Sequence, residues 1–544
     1  MATSACDPLS PILEQASAIA VQLARPAKDD EEAQNVEMML DSVRTWASRH
    51  LDSAKTDANA CIAPEIYETA AELGLFGLTI PEEYGGAGFS LSAAARITEE
   101  IATFDRSVAT AIGLHCGLGL RGLVHFGSDE LKKKYLPGLA AGKPIAAFAA
   151  TEPEAGSHIA GIKTTGTWDN GTGLSVTGEK CYVTNGGIAG LYTILAKTPG
   201  LGGARRGYSL LLLTRDMNGI TIGAEEHKLG IKGSSTTTVN FDAVAVDTSH
   251  VIGEPGKGLD LMNEVLAWGR TLMSAGCLGT ARHAYKLAST YVLDRHQFGK
   301  PIGSFGLVRQ KIAEMRAALF ITESVVRLTT LRQSAYGSDI IWESSIAKVL
   351  ASENAWRLSD DAIQVHGGAG FIEDTGVPRI LRDGRITRIF EGANEVLRFH
   401  IAAASLGFGA QFSRLSSLTA KLDPRLSKDA ERFDGFAHEL GKMIDELKTK
   451  YGIRVAEHQM LLGQAADGVI GVFALLATLL KAHGELAVAK SPDVADDVLK
   501  RTQLASAMLS RDIEGALAGA RRPDEEELVN AVSEAEYGRV RANL

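Results

Sequence analysis

Glu391 follows the apolar pair Ile389-Phe390 and directly precedes Gly392. A carboxylate in such company is poorly solvated, and poor solvation raises its pKa toward the range in which it can serve as a base. Upstream lies a glycine cluster, Gly367-Gly368-Ala369-Gly370, followed by Phe371 and then by Arg379, Arg382 and Asp383. Paired glycines let a backbone come close to a bulky ligand, because no Cβ intervenes. The competing reading of Glu391 is an ion pair with Arg388 or Arg382, both near it in sequence. Two other features carry less. Gly253-Glu254-Pro255-Gly256-Lys257-Gly258 lacks the spacing of a phosphate-binding loop and reads as a turn. The histidines have no metal-ligand spacing, so no metal is expected.

Several kinds of element must position these residues. Residues 1–35 read as a mobile lead ending in the charged run Lys28-Asp29-Asp30-Glu31-Glu32. Residues 36–147 read as helices, with an apolar face at Val36, Met39, Leu40, Val43 and Trp46. Over residues 148–256 the period changes, and Leu174–Thr177, Tyr192–Leu195, Tyr208–Leu213 and Thr236–Phe241 read as strands. Gly200-Leu201-Gly202-Gly203 reads as a hairpin-type loop. Long helices return over 257–412, and 413–544 reads as a further helical domain. The class is α+β, with a β domain between two helical ones and a helical extension.

The run from Gln364 to Arg398 resembles the C-terminal signature of the acyl-CoA dehydrogenases, at Gln364, Gly367, Gly368, Gly370, Phe371, Asp374, Arg379, Asp383 and the closing Ile389-Phe390-Glu391-Gly392. Further resemblances follow in the family's order. Pro81–Gly88 resembles an N-terminal turn motif, and Ala150–Ser157 the first flavin signature. Gly178–Gly186 resembles the second flavin strand, and Asp294–Pro301 the segment that reaches a partner subunit's FAD. The likeness spans roughly residues 36–412, and RIFEGANEVLR with the long tail is closest to the very-long-chain branch.

The resemblance implies the acyl-CoA dehydrogenase fold and a chemistry. Glu391 would take the α-proton of an acyl-CoA thioester while flavin N5 accepts the β-hydride, giving trans-2-enoyl-CoA. The thioester oxygen would be stabilised by a flavin ribityl hydroxyl and the Glu391 backbone N–H. Phe148, Ala150, Thr151, Gly156 and Ser157 would hold the flavin, Ser157 also lying near the thioester or pantetheine. Tyr182 stands where the family usually has Trp against the flavin, and a phenol can also stack there. Val183 and Thr184 continue that strand, with Thr184 matching the residue that bonds N5. Arg295 and Phe298 would hold FAD across a dimer interface, and Phe305, Gly306, Gln364, Gly367 and Gly368 would complete that site. Ala393, Asn394 and Glu395 follow the base on the cofactor side. Arg270 falls where a family Arg approaches substrate or CoA, and Gly392 lies beside the substrate. Ala109 and Gly113 are small where medium-chain relatives carry larger polar residues, so the acyl cavity would accept a long chain; close helix packing is the other reading of these two. The chain departs from the pattern at His158, Arg309, Ala393 and Glu395.

The implied cofactor is FAD, the implied acceptor electron-transferring flavoprotein, the assembly a homodimer and the pathway fatty-acid β-oxidation. An acyl-CoA oxidase, a dehydrogenase of secondary metabolism and an assembly factor acting through protein contacts are the alternatives. Composition agrees with a globular enzyme. The 544 residues are 45% hydrophobic and 22% charged, with a net charge of −10, which argues against nucleic-acid binding. Cys6, Cys61, Cys116, Cys181 and Cys277 are scattered without a CxxC pair, as expected of reduced thiols in a cytoplasmic setting. The apolar run Val469–Leu480 is shorter than the ~20 residues of a spanning helix and reads as a buried helix. The run Phe412, Leu415, Leu418 and Leu422 is weakly amphipathic and gives little interfacial binding. No stable membrane insertion is expected.

Overall fold

The computed structural model describes every residue except 1–8, 25–28, 170, 172, 206, 338, 416–420 and 544. Its contacts divide into two compact units, Pro26–Met315 with Thr329–Ala393, and Met1–Arg25 with Arg316–Leu328 and Asn394–Leu544.

The larger unit begins with the helix Asp30–His50, whose start is written in its sequence. The Asp29 side chain accepts from Glu32 N (2.8 Å), and Asp30, Glu31 and Glu32 fill the first turn, where the helix dipole favours acids. Asp29 to Glu32 of the charged run are thus a cap and first turn, while Lys28 lies outside the described residues. Val36, Leu40, Val43 and Trp46 are buried, and Met39 packs beside them. Helices Leu91–Ala102 and Arg106–Leu114 follow, capped by Ser90 and Asp105. A π-helical turn, His115–Gly119, separates the second of these from the helix Leu120–Phe126.

The sheet comprises β1 (Ile145–Ala149), β2 (Thr165–Trp168), β3 (Gly173–Thr184), β4 (Ala189–Lys197), β5 (Tyr208–Thr214), β6 (Ile220–Ile222), β7 (Thr236–Asp247) and β8 (Val251–Ile252). Its order is β6-β7-β3-β2-β4-β5-β8, with β1 lying parallel on β4. All four expected strands fall inside β3, β4, β5 and β7. The glycine-rich loop 200–203 joins the antiparallel pair β4 and β5. β1 opens ahead of residue 148, because the Ala-rich IAAFA is buried throughout and has no alternation to mark it as a strand. The chain then returns to long helices: Gly258–Asp294, Gly306–Tyr336, Ile341–His366 and the short Val377–Arg385.

The other unit is helical: Ser10–Leu23, Asn394–Ser405, Ser427–Tyr451, Gln459–Ala487, Pro492–Gly519 and Pro523–Asn543. The lead was expected to be mobile over 1–35, but Ser10–Leu23 is a helix. Leu9, Ile12, Ala16, Ile19, Ala20 and Leu23 form a buried stripe at helical spacing. Gly484 lets the helix Gln459–Ala487 meet this helix closely, since a Cβ there would lie 1.9 Å from Ala20 O. The apolar run 469–480 proves to be the middle of that 29-residue helix. This helix and the segment Arg106–Phe126 are long and apolar enough to cross a membrane by length and composition, with 78% and 72% of their apolar windows buried inside the protein. Phe412 and Leu415 are buried and Leu422 half-buried; Leu418 lies outside the described residues.

Candidate active site

Glu391 stands on a turn of unusual backbone. After the helix Val377–Arg385 and a short 3-10 turn, the chain becomes left-handed at Glu391 (φ 56°) and again at Gly392 (φ 101°). A non-glycine residue in this region costs about 1–3 kcal/mol and persists only where its surroundings fix it. Two cations do so. Arg270 Nε donates to Glu391 O (3.0 Å) and Lys348 Nζ donates to Gly392 O (2.7 Å). Arg270 also reaches Ser345 Oγ (3.4 Å).

Among the described residues the carboxylate itself has no salt-bridge partner. Glu391 Oε2 is buried with no hydrogen-bond partner among the described residues. The expected competitors are engaged elsewhere: Arg388 pairs with Glu353 (2.9 Å), and Arg382 forks onto Asp57 (2.9 and 2.7 Å) and reaches Glu373 (3.1 Å). Burial pushes the Glu391 carboxyl up to about 7, against the pull of Arg270, Lys348 and Arg106. Burial also brings the Lys348 ammonium down to about 8. Gly269 gives the carboxylate room, since a Cβ there would lie 2.3 Å from Leu118 Cδ2 and 3.0 Å from Glu391 Oε2. Sequence reading did not find Lys348, Arg106 or Gly269. Lys348 left one signal, a lone cation inside the apolar run Ile346-Ala347-Lys348-Val349-Leu350.

A second group gathers on the sheet. β3 carries a bulge where Lys180 pairs with Val239 and Val183 with Thr237, so the partner strand is one residue shorter. Within it Tyr182 is left-handed (φ 55°) and stands 68% exposed. Val183 is buried and Thr184 half-buried behind it. The loop after β1 is fastened to this bulge. Cys181 N donates to Thr151 O (3.0 Å), and Lys180 Nζ donates to Ala150 O (3.1 Å) and to Glu152 Oε1 (2.8 Å). Glu152 also accepts from the N–H groups of Thr164 and Lys163. Lys180 and Glu152 are both buried. Neither had been singled out, because nothing local in sequence pairs them. Phe148 packs in the apolar core at 8% exposure, whereas Gly156 and Ser157 are exposed.

A third group surrounds the two-stranded hairpin His296–Gln297 and Lys300–Pro301. Phe298 at its tip is left-handed (φ 53°) and 91% exposed, with its ring edge-on to Phe305 (5.8 Å). Arg295 and Gly306 are exposed alongside. Tyr291 stacks on His366 (4.1 Å), which brings the helix end at Gln364, Gly367 and Gly368 to the same neighbourhood. Ala393 is half-buried, Asn394 opens the helix Asn394–Ser405 and Glu395 is exposed. Ala109 is buried in the helical core, and a Cβ at Gly113 would rest 3.6 Å from Thr98 Cγ2 on the neighbouring helix. In the π-helical turn, His115 Nδ1 accepts from Ala146 N (2.9 Å), and burial lowers the imidazole to about 4, so it is neutral. Just beyond the turn, the Arg121 guanidinium lies 3.8 Å over the Trp268 ring. Among the described residues no group of three or more potential metal ligands is found.

These features fit a flavin. An exposed aromatic ring at a strand bulge offers a stacking face. At Gly156 and Gly368 an added Cβ would meet nothing within 4 Å, so their bareness serves no contact inside this chain; Gly367 is equally open, and its left-handed backbone (φ 60°) favours glycine by itself. The family is settled by comparison with known proteins. Residues 33–143, 147–244 and 256–406 match the N-terminal, middle and C-terminal domains of acyl-CoA dehydrogenase, respectively. The chain belongs to this family of FAD-dependent oxidoreductases, and FAD is its cofactor. It is 33% identical over 495 residues to the human very long-chain specific acyl-CoA dehydrogenase of mitochondria, covering 84% of this chain and 76% of that one. A probable acyl-CoA dehydrogenase of Bacillus subtilis is 34% identical over 473 residues, covering 80% and 78%. A crystal structure of an acyl-CoA dehydrogenase complexed with FAD from Bacillus anthracis superposes with a TM-score of 0.82 at 27% identity, covering 92% of this chain and 91% of that chain.

Proposed function

We propose that the protein converts long-chain acyl-CoA to trans-2-enoyl-CoA, with Glu391 as the base that removes the α-proton. One observation carries this reading: Glu391 Oε2 is buried and unpartnered while the nearest cations are spent on main-chain carbonyls. A carboxylate so placed is basic enough to accept a proton near neutral pH and is not neutralised by a salt bridge. FAD, when bound, supplies the hydride acceptor. Tyr182 would stack on it, with Thr151 and Thr184 at its edge and Ser157 near the thioester. Arg295, Phe298, Phe305, Gly306, Gln364, Gly367 and Gly368 would meet FAD across a homodimer interface, a state that light scattering reads directly. Electron-transferring flavoprotein would take the electrons, in a cytoplasmic setting.

The long-chain preference is supported by the human relative's specificity and by small residues at Ala109 and Gly113. Gly113 also faces Thr98, so the packing reading of that position stands beside it. Each CH₂ buried contributes ~0.8 kcal/mol, so kcat/KM should climb with chain length until the cavity ends.

Anaerobic flavin reduction by a series of acyl-CoAs tests both parts. Glu391→Gln is nearly isosteric, so it should keep FAD and lose reduction by every substrate. In the unmodified enzyme the rate should rise as pH passes upward through about 7, because only the ionised carboxylate accepts a proton. Reduction at an ordinary rate in the Gln variant would remove Glu391 from the role. A butyryl-CoA optimum would remove the long-chain preference alone.

A further inference from the structure

The turn carrying Glu391 presents two consecutive carbonyl oxygens, and each is held by a cation from a different helix. Arg270 of Gly258–Asp294 takes the Glu391 oxygen, and Lys348 of Ile341–His366 takes the Gly392 oxygen. A pinned carbonyl fixes its peptide plane. Two pinned planes on either side of one Cα fix both of its torsions, and the Cα between these two belongs to Gly392. That residue has the widest conformational freedom in the turn. With Arg270 alone the chain beyond Gly392 could still swing about the glycine, and the turn that carries Glu391 would be held on one side only. Lys348 closes the second side.

Lys348 is an expensive way to hold a helix in place. It is 0% exposed. A buried ammonium is unfavourable unless its hydrogen bonds are satisfied, and an apolar residue would serve packing alone at less cost. We propose that Lys348 is a positioning residue for proton abstraction: by holding the Gly392 carbonyl it fixes where the Glu391 carboxylate sits. This rests on Glu391 being the base. The charged and titratable groups facing Glu391 are Arg270 and Cys277 from one helix, Lys348 from the second and Arg106 from the helix Arg106–Leu114; Glu353 acts in turn on Lys348.

The test uses FAD-loaded full-length enzyme. Lys348→Met removes donor and charge while keeping length. It should leave KM for acyl-CoA near its ordinary value and slow single-turnover flavin reduction by about tenfold to a hundredfold, the usual effect of a misplaced reacting group. The acid limb of the rate profile should move to higher pH, because one cation that lowers the Glu391 pKa is gone. Lys348→Arg should recover much of the rate. A Met variant with unchanged rate and unchanged limb overturns the proposal. So does a loss of rate that only follows loss of FAD, with the limb unmoved. If Met does not fold, Lys348→Gln keeps a donor without charge and is judged by the same two readouts; if neither neutral variant folds, the role of Lys348 is structural and the proposal fails. Glu391→Gln is measured alongside. Should that variant reduce its flavin normally, the base assignment falls whatever Lys348 does. Should it be inert while Lys348→Met behaves as the unmodified enzyme, only the positioning role falls.

Discussion

Tyr182 and Glu391 share a backbone conformation and almost nothing else. Their φ values are 55° and 56°. Tyr182 lies in a bulge of β3, with ladder pairs on both sides, and its ring points into the open. Glu391 lies on a turn outside any ladder and is half-buried, with its Oε2 atom shut away from solvent. The two regions show that a strained residue needs an anchor suited to its setting. In the sheet, neighbouring strand bonds hold the backbone and the buried Lys180–Glu152 pair fastens the adjoining loop. At the turn no strand is available, and charged side chains hold the carbonyls. In one place the strain turns a ring outward; in the other it holds an acid in a site that would otherwise expel it.

Lys180→Met should separate the two regions most sharply. It strands Glu152 in the interior without its cation, and breaking a buried pair in this way costs about 3–5 kcal/mol. Urea unfolding should report that loss, together with FAD release, and a stability near the unmodified value would deny the pair its anchoring role. Gly269→Ala should act on the other region. Its Cβ would press on Leu118 and crowd Glu391 Oε2, and overpacking costs about 1–3 kcal/mol. Slower flavin reduction with FAD retained is expected; unaltered kinetics would mean that the carboxylate has slack. Tyr182→Gly should have the smallest effect on the fold. It relieves left-handed strain of about 1 kcal/mol while removing the ring, so apoprotein stability should hold or rise slightly as FAD affinity falls. A marked fall in apoprotein stability would show that the ring supports the bulge itself.

Motif positions and strand periodicity were legible in the sequence because they are local. The carboxylate before Gly392, the glycine cluster, and four strands with their hairpin loop all declare themselves within a few residues. What stayed hidden is long-range. Lys348 and Gly392 are 44 residues apart, and Arg270 and Glu391 are 121 apart. No spacing rule pairs a lysine with a carbonyl oxygen across such distances. Lys180 and Glu152 were hidden for the same reason, although both lie inside recognised motifs. The helix Ser10–Leu23 was missed differently: its apolar stripe is plain, but the charged run that closes residues 1–35 led the whole stretch to be read as a mobile lead.

The π-helical turn His115–Gly119 sets the register of everything after it. A π-turn is an α-helix with one residue inserted, and one residue turns the downstream face by about 100°. The segment Arg106–Leu114 can therefore present Gly113 to Thr98 while the continuation swings Arg121 over Trp268, the residue before Gly269. Removing a single residue from this turn would straighten the helix and rotate Arg121 off its ring. Substitutions upstream of the insertion can accumulate without redirecting what lies beyond it. The two halves of this segment thus meet different neighbours, Gly113 facing Thr98 on one side of the insertion and Arg121 covering Trp268 on the other.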